Sequence, residues 1–144
     1  MEWSSIFSPR HYFWRNRKIN PLDINKNVTI GVAFPLDENN LFKGTKTVQE
    51  QIKTNLINLL LTEPGERLYI PNYGVGLNGL LFEPNIDQEN LNSRINQQIN
   101  FYIPEISLIN TQVNFVEDEH KLFITISYRS NLDGSNDAIQ LNFN

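Results

Sequence analysis

The 144-residue chain has no cysteine. That excludes a disulfide framework, a thiolate metal site and a cysteine nucleophile, and nothing marks an oxidising compartment. Histidine is nearly absent too: His11 and His120 are the two, too few for a histidine-rich metal cluster, and no cofactor is expected. A basic balance is also missing. Twelve Lys and Arg stand against sixteen Asp and Glu, for a net charge of -4, which argues against a whole-domain nucleic-acid binder. No segment approaches about 20 apolar residues without charge, so no membrane span is expected. The start, MEWSSIFSPRHYFWRNRK, lacks the continuous apolar region of a secretory signal, and the sequon at Asn27-Val28-Thr29 therefore carries little weight. No internal repeat is visible. What remains is a soluble single domain that faces other proteins, large enough to bury roughly two-thirds of its unfolded surface.

Residues 1–27 mix aromatics (Trp3, Phe7, Tyr12, Phe13, Trp14) with Arg10, Arg15, Arg17 and Lys18, without helical or strand periodicity. They read as an N-terminal arm whose Trp14 and Arg15 are candidate partner contacts, since Trp, Tyr and Arg are over-represented at interface hot spots. The folded domain is expected over 28–144. VTIGVAF, Val28 to Phe34, is a β-branched strand candidate stopped by Pro35. Thr47 and Glu50 have capping-box spacing, and Val48, Ile52, Leu56, Leu59 and Leu60 then recur at three and four residues, which predicts a helix to about Thr62. Pro64 and Gly65 suit the centre of a type II turn. A short helix is predicted from about Val75 to Phe82, burying Leu77, Leu80, Leu81 and Phe82. A second long helix follows, capped by Asn85 or Asp87, with Leu91, Ile95, Ile99 and Tyr102 on one face and an end before Pro104. The period then falls to two: Ile109, Thr111, Val113 and Phe115, then Leu122, Ile124, Ile126 and Tyr128, then Ile139, Leu141 and Phe143. Glu117 to His120 joins the first two strands as a hairpin. The expected fold is α+β: two longer helices and a short one packed on an antiparallel C-terminal sheet, with an extended N-terminal arm.

The segment NLLLTEPGERLYIPNYGVGLNGLLFEP, Asn58 to Pro84, allows three readings. Gly74, Gly76 and Gly79 spell the dinucleotide fingerprint GxGxxG, but Pro71 and the short YIPNY before it make a poor central strand, and no acidic residue stands about 20 positions later. Glycines that shape a loop explain the spacing better. An enzyme would use Glu63, Glu66 and Glu83 as paired carboxylates, which glycoside hydrolysis requires. Raising the pKa of the acid needs an apolar pocket, whereas Glu63 and Glu66 flank a turn beside Arg67. A Ser-His-Asp arrangement has no supporting nucleophile motif around His11 or His120.

The third reading rests on resemblance. Leu60, Leu61, Thr62, Pro64, Gly65, Glu66, Arg67, Pro71, Tyr73, Gly74, Leu81, Phe82 and Glu83 reproduce the L-L-T, P-G-E-R, P-x-[FY]-G and L-F-E pattern of the baseplate wedge and sheath-initiator family of contractile phage tails and related injection machines. The chain resembles that family over about Val28 to Phe143. The resemblance implies a non-enzymatic subunit of a virion tail baseplate, assembled in the host cytoplasm, six copies around a tail tube. Its implied partners are other baseplate wedge proteins and the tail sheath protein, with tube or hub proteins as further candidates, and neither nucleic acid nor a membrane. It also implies that the subunit joins the wedge scaffold to the first sheath ring. Family members carry Glu-Pro-Arg at the end of their last long helix, where this chain has Ile103-Pro104-Glu105. The proline can still end the helix, but an Arg contact there is lost.

Glu66, Arg67, Pro104 and Glu105 are thus candidate contacts to the wedge. The resemblance also implies strand exchange with sheath, for which Ile139, Leu141 and Phe143 are candidates; AIQLNFN carries neither the charge nor the proline that blunts an open sheet edge. Two alternatives stay open: a peptidoglycan-cleaving lysozyme-like enzyme, since family members are often labelled so, and the equivalent subunit of a type VI secretion or other contractile injection system.

Overall fold

The computed structural model describes residues 21–25, 27–34, 43–82, 87–116 and 121–143. Trp14, Arg15 and the rest of the arm to residue 20, Glu83, and the hairpin residues Glu117 to His120 lie outside the described residues, as do Leu81, Phe82 and Phe115 beyond their backbone.

Helix α1 spans Val48–Leu61 and opens on several side-chain caps. Thr47 Oγ1 accepts from the Glu50 amide at 3.2 Å, as the Thr47 and Glu50 spacing predicts. The Glu50 carboxylate reaches back to the Lys46 amide at 2.8 Å, one residue before the usual capping-box partner. The Thr47 neighbour's amide is taken from elsewhere: Asp23 Oδ1 accepts from Val48 N at 2.7 Å. A 3-10 turn, Pro21–Asp23, is therefore tied to the start of α1, and its carboxylate faces the positive end of the helix dipole. Ile52, Leu56, Ile57, Leu59 and Leu60 form the buried stripe. The predicted strand over Val28 to Phe34 shrinks to β1, Gly31–Val32, paired antiparallel with β2, Gly44–Thr45. Single bonds from Ile30 N to Thr45 O and from Ala33 N to Lys43 O extend that ladder by one step each way.

Helix α2, Gln88–Tyr102, is capped by Asp87, whose Oδ1 accepts from Glu89 N and Asn90 N. Its buried residues Leu91, Ile95 and Ile99 recur every four positions, a narrow stripe flanked by polar side chains. It stops at Ile103 because Pro104 disfavours helical backbone in the residue before it. Ile106 N then donates to Ile103 O at 3.2 Å, closing a turn over Pro104 and Glu105.

Three antiparallel strands complete the domain: β3 (Ile106–Val116), β4 (Lys121–Ser130) and β5 (Asn136–Phe143), in the order β3-β4-β5. Along β4 every second residue, Leu122, Ile124, Ile126 and Tyr128, is at most 1% exposed. These face the helices, and Ile139 and Phe143 of β5 join the same core. Tyr128 reconciles its hydroxyl with burial by donating to Asp137 Oδ2 at 3.1 Å. Burial, reinforced by the Asp137 charge, pushes this phenol well above the ordinary tyrosine value.

Strand β3 departs from its simple alternation. Its register against β4 shifts between Leu108 and Asn110, so Ile109 is the extra residue of a β-bulge and is 55% exposed. Before the bulge Ile106 and Leu108 face the core, and after it Thr111 and Val113 do. One inserted residue has reversed the parity of the inner face, which is why the sequence pattern placed Ile109 inside. Ile126→Ala is expected to destabilise the domain by about 2–5 kcal/mol and Ile109→Ala by no more than about 0.5 kcal/mol, read from urea unfolding midpoints at constant m. Equal losses would place Ile109 in the core and remove the bulge.

A clamped loop and an open sheet edge

The connection from α1 to α2 is fixed by its backbone. At Thr62 the chain turns extended while its amide and hydroxyl both donate to Asn58 O, at 3.0 and 2.7 Å. Glu66 N donates to Glu63 O at 3.1 Å across Pro64 and Gly65, and Gly65 has φ +93°, the type II turn that Pro-Gly predicts. Glu66 Oε2 accepts from Glu63 N at 3.1 Å. Gly65 N then donates to Pro71 O at 2.7 Å, so residues 66–70 project as a short loop closed at its base.

Beyond that base the chain returns to the core. Tyr73 and Val75 are buried. Val75 N donates to Leu59 O and Gly76 N to Thr62 O, both at 3.0 Å, satisfying carbonyls that a helix C-terminus otherwise leaves unpaired. Such close approach is why Gly74 and Gly76 are glycines, with φ of +113° and +71°. A Cβ on Gly74 would run into the Thr62 carbonyl, and one on Gly76 into the Glu63 carboxylate. From the opposite side α2 supplies two polar clamps four residues apart. Gln98 Oε1 accepts from Gly74 N at 3.1 Å while its Nε2 donates to Asn72 O at 2.9 Å, and Arg94 Nη2 donates to Val75 O at 2.6 Å. The short helix then appears as a 3-10 turn, Leu77–Phe82, burying Leu77 and Leu80.

Arg67 and Glu66 are not paired with each other. The Arg67 guanidinium lies 3.8 Å above the centroid of the Tyr73 ring, a cation–π contact. Tyr73 packs edge-on against Tyr102 at 4.9 Å, and Tyr102 against Phe101 at 4.8 Å. Burial raises the Tyr73 pKa, with the Arg67 charge opposing. Leu68 and Tyr69, at the loop's tip, are 92% and 97% exposed. Leu59, Leu60, Tyr73, Val75 and Leu77 anchor the connection to the core, and Leu68 to Ile70 do not.

The other candidate contacts lie elsewhere. Pro104 and Glu105 are exposed at the α2–β3 turn, where Asn131 donates to both carbonyls, from Nδ2 at 3.1 Å and from its amide at 2.7 Å. Ile139 and Phe143 are buried and Leu141 half-buried, so these side chains serve the chain's own core. What β5 presents outward is backbone. Ser130 N donates to Ser135 O at 2.8 Å just before the β4–β5 ladder. Alternation along an antiparallel pair then turns the amides of Ile139, Leu141 and Phe143 toward β4 and those of Ala138, Gln140 and Asn142 away. Asp137 Oδ1 takes the Ala138 amide at 2.8 Å. Among the described residues β5 pairs with β4 alone.

Glu63 and Glu66 are exposed, without the apolar surround that holds a catalytic acid protonated. A cavity of about 220 Å³ lies between the start of α1 and the end of α2, and among its described lining residues Glu105 is the single carboxylate, where glycoside hydrolysis needs two. Among the described residues no group of three His, Cys, Asp or Glu could hold a metal, and no helix is long and apolar enough to cross a membrane.

Two helices on a three-stranded sheet, joined by a clamped glycine loop, define a small α+β domain, and comparison with known proteins fixes the family. The profile described as "Baseplate wedge protein gp25" matches residues 46–135, and the chain belongs to that family. It is accordingly a baseplate structural protein, a component of a phage or phage-like tail particle whose partners are other baseplate proteins. Among solved structures it is similar to a protein of Geobacter sulfurreducens provisionally named a tail lysozyme, at 20% identity and a TM-score of 0.59, covering 70% of this chain and 94% of that one. It is also similar to a chain of the baseplate of the anti-feeding prophage, at 24% identity and a TM-score of 0.48, covering 78% of this chain and 82% of that one. No curated protein matches the chain.

The three glycines differ in what they do, so their substitutions separate. Gly74→Ala is expected to cost about 1–3 kcal/mol or more, since it strains φ and meets backbone. Gly79→Ala, free of both constraints, is expected to be neutral or to stabilise by up to about 1 kcal/mol. Thermal or urea unfolding measures both; a loss at Gly79 matching that at Gly74 would contradict the loop geometry.

Proposed function

We propose that this chain is a non-enzymatic subunit that joins the wedge scaffold of a contractile baseplate to the first sheath ring, and that β5 templates the first sheath subunit by strand addition. The observation that carries the reading is the outer edge of β5, whose Gln140 and Asn142 amides point away from β4. Unpaired edge groups recruit other strands unless charge, proline or a bulge intervenes. On the opposite edge β3 has its bulge at Ile109, whereas β5 from Ala138 onward has no charge, proline or register shift. Backbone bonds supply affinity in such additions, and the exposed Gln140 and Asn142 side chains set the register. Residues 1–27, with Trp14 and Arg15, act as an arm that anchors on neighbouring subunits, and Glu66, Arg67, Pro104 and Glu105 face the wedge. The same reading accommodates an injection system in place of a phage tail.

The name of the Geobacter protein keeps cell-wall cleavage as the rival. Against it stand the exposure of Glu63 and Glu66 and the single carboxylate of the cavity. Purified protein is expected to release no soluble fragments from peptidoglycan; release abolished by Glu63→Gln would establish the rival instead.

Gln140→Pro separates template from fold. It removes an outward amide and leaves the β4–β5 ladder whole, as proline is tolerated on edge strands with the lost donor facing outward. Leu141→Pro, by contrast, breaks the ladder itself. Baseplates carrying Gln140→Pro are expected to assemble but to lack sheath in electron micrographs. Sheath of normal length on them would rule out β5 as the template.

A further inference from the structure

We propose that Leu68, Tyr69 and Ile70 form a preorganised apolar knob that seats in an apolar, basic-rimmed pocket on another protein of the baseplate. The inference rests on the baseplate reading above and adds a second surface, at the α1–α2 loop instead of the β5 edge. Tyr69 is 97% and Leu68 92% exposed, with Ile70 at 43%. A tyrosine alone offers roughly 150–250 Å², so the tip carries on the order of 300 Å² of apolar-rich surface, comparable to the largest patch on an ordinary monomer.

Exposure of this kind on a floppy loop would mean little. Here the base is closed by Gly65 N to Pro71 O, the turn is set by Glu66 N to Glu63 O, and Tyr73 N donates to Ile70 O immediately after the tip. Arg67, the residue before Leu68, is laid on the buried Tyr73 ring. A tip held in one shape loses little conformational entropy when it docks.

Charge selects the occupant. Glu63 and Glu66 stand exposed at the base of the knob, two carboxylates against the one neighbouring cation in the loop, Arg67, which keeps its charge but is held over the Tyr73 ring. The complementary rim is basic. A two-fold contact with a second copy would set these carboxylates against their like, and the same acids disfavour anionic lipid or nucleic acid. The remaining class is a baseplate protein with Lys or Arg around an apolar pocket.

The test uses tails purified from cells producing the full chain. In one arm Tyr69 is replaced by the photo-crosslinker p-benzoylphenylalanine and the product is identified by mass spectrometry. In the other, Leu68→Ser with Tyr69→Ser is compared with the parent for copies per tail, with melting temperature as the folding control. The expected results are a crosslink to one other baseplate protein beside Lys or Arg residues, and a fall in copies of about tenfold or more at unchanged melting temperature. That fall is about 1.4 kcal/mol, within the range of one hot-spot residue. Parental copy number for the double variant, or a crosslink to sheath or to a second copy, overturns the knob while leaving the baseplate reading intact. Absence of the parent chain from tails overturns both.

Discussion

The C-terminus of α1 sets the terms for the rest of this domain. Its carbonyls at Leu59 and Thr62 receive the amides of Val75 and Gly76, which draws a distant segment back under the helix end. That approach excludes side chains at positions 74 and 76, and it forces the intervening residues to double back through Pro64-Gly65 and to close at Gly65–Pro71. Leu59, Val75 and Leu77 bury together as a result, and α2 is brought close enough for Arg94 and Gln98 to bond the same strip of backbone. Remove the pairing and the loop, the 3-10 turn and the seat of α2 all lose their reference point.

The residues that carry the resemblance cluster in this segment, where many positions answer to one backbone constraint. Pro64, Gly65, Pro71, Gly74 and Gly76 shape the path, Tyr73 fills the space beneath Arg67, and Thr62 ends the helix. Glycine spacing that resembles a phosphate loop is here a packing device: the amides of Gly74 and Gly76 are already occupied by Gln98 and Thr62, leaving them none to offer a phosphate. In the proposed function, the partner contacts then fall to what this core displays, the loop tip and the outer edge of β5.

Much of this architecture was legible in the sequence where the controlling interaction is local. Thr47 and Glu50, Asp87, Pro64-Gly65 and Pro104 each act within four residues, and the period-two run from Leu122 to Tyr128 needs only the sheet itself. What escaped depends on contacts between distant segments. The β1 candidate is short because its partner offers two residues. Ile109 leaves the core because a bulge reverses parity, and no single-strand pattern reports a bulge. Arg94 and Gln98 lie off the apolar stripe of α2, and their role appears once the loop lies beside them. Nothing in the local pattern marks Leu68 and Tyr69 as exposed, yet a loop closed at Gly65–Pro71 leaves them nowhere to turn inward. For the proposed partner surfaces, Glu66 and Arg67 were visible as charged turn residues, while the direction of the β5 amides required the ladder.

The central claim is that the α1–α2 connection is a rigid part of the core and not a surface loop. Native-state hydrogen exchange on the isolated chain tests it at the amides of Gly74, Val75 and Gly76. The account predicts that these three exchange only through the opening that also releases Leu56 and Leu59 in α1, with protection approaching that of global unfolding. Exchange at rates typical of an open loop, while α1 stays protected, would contradict it.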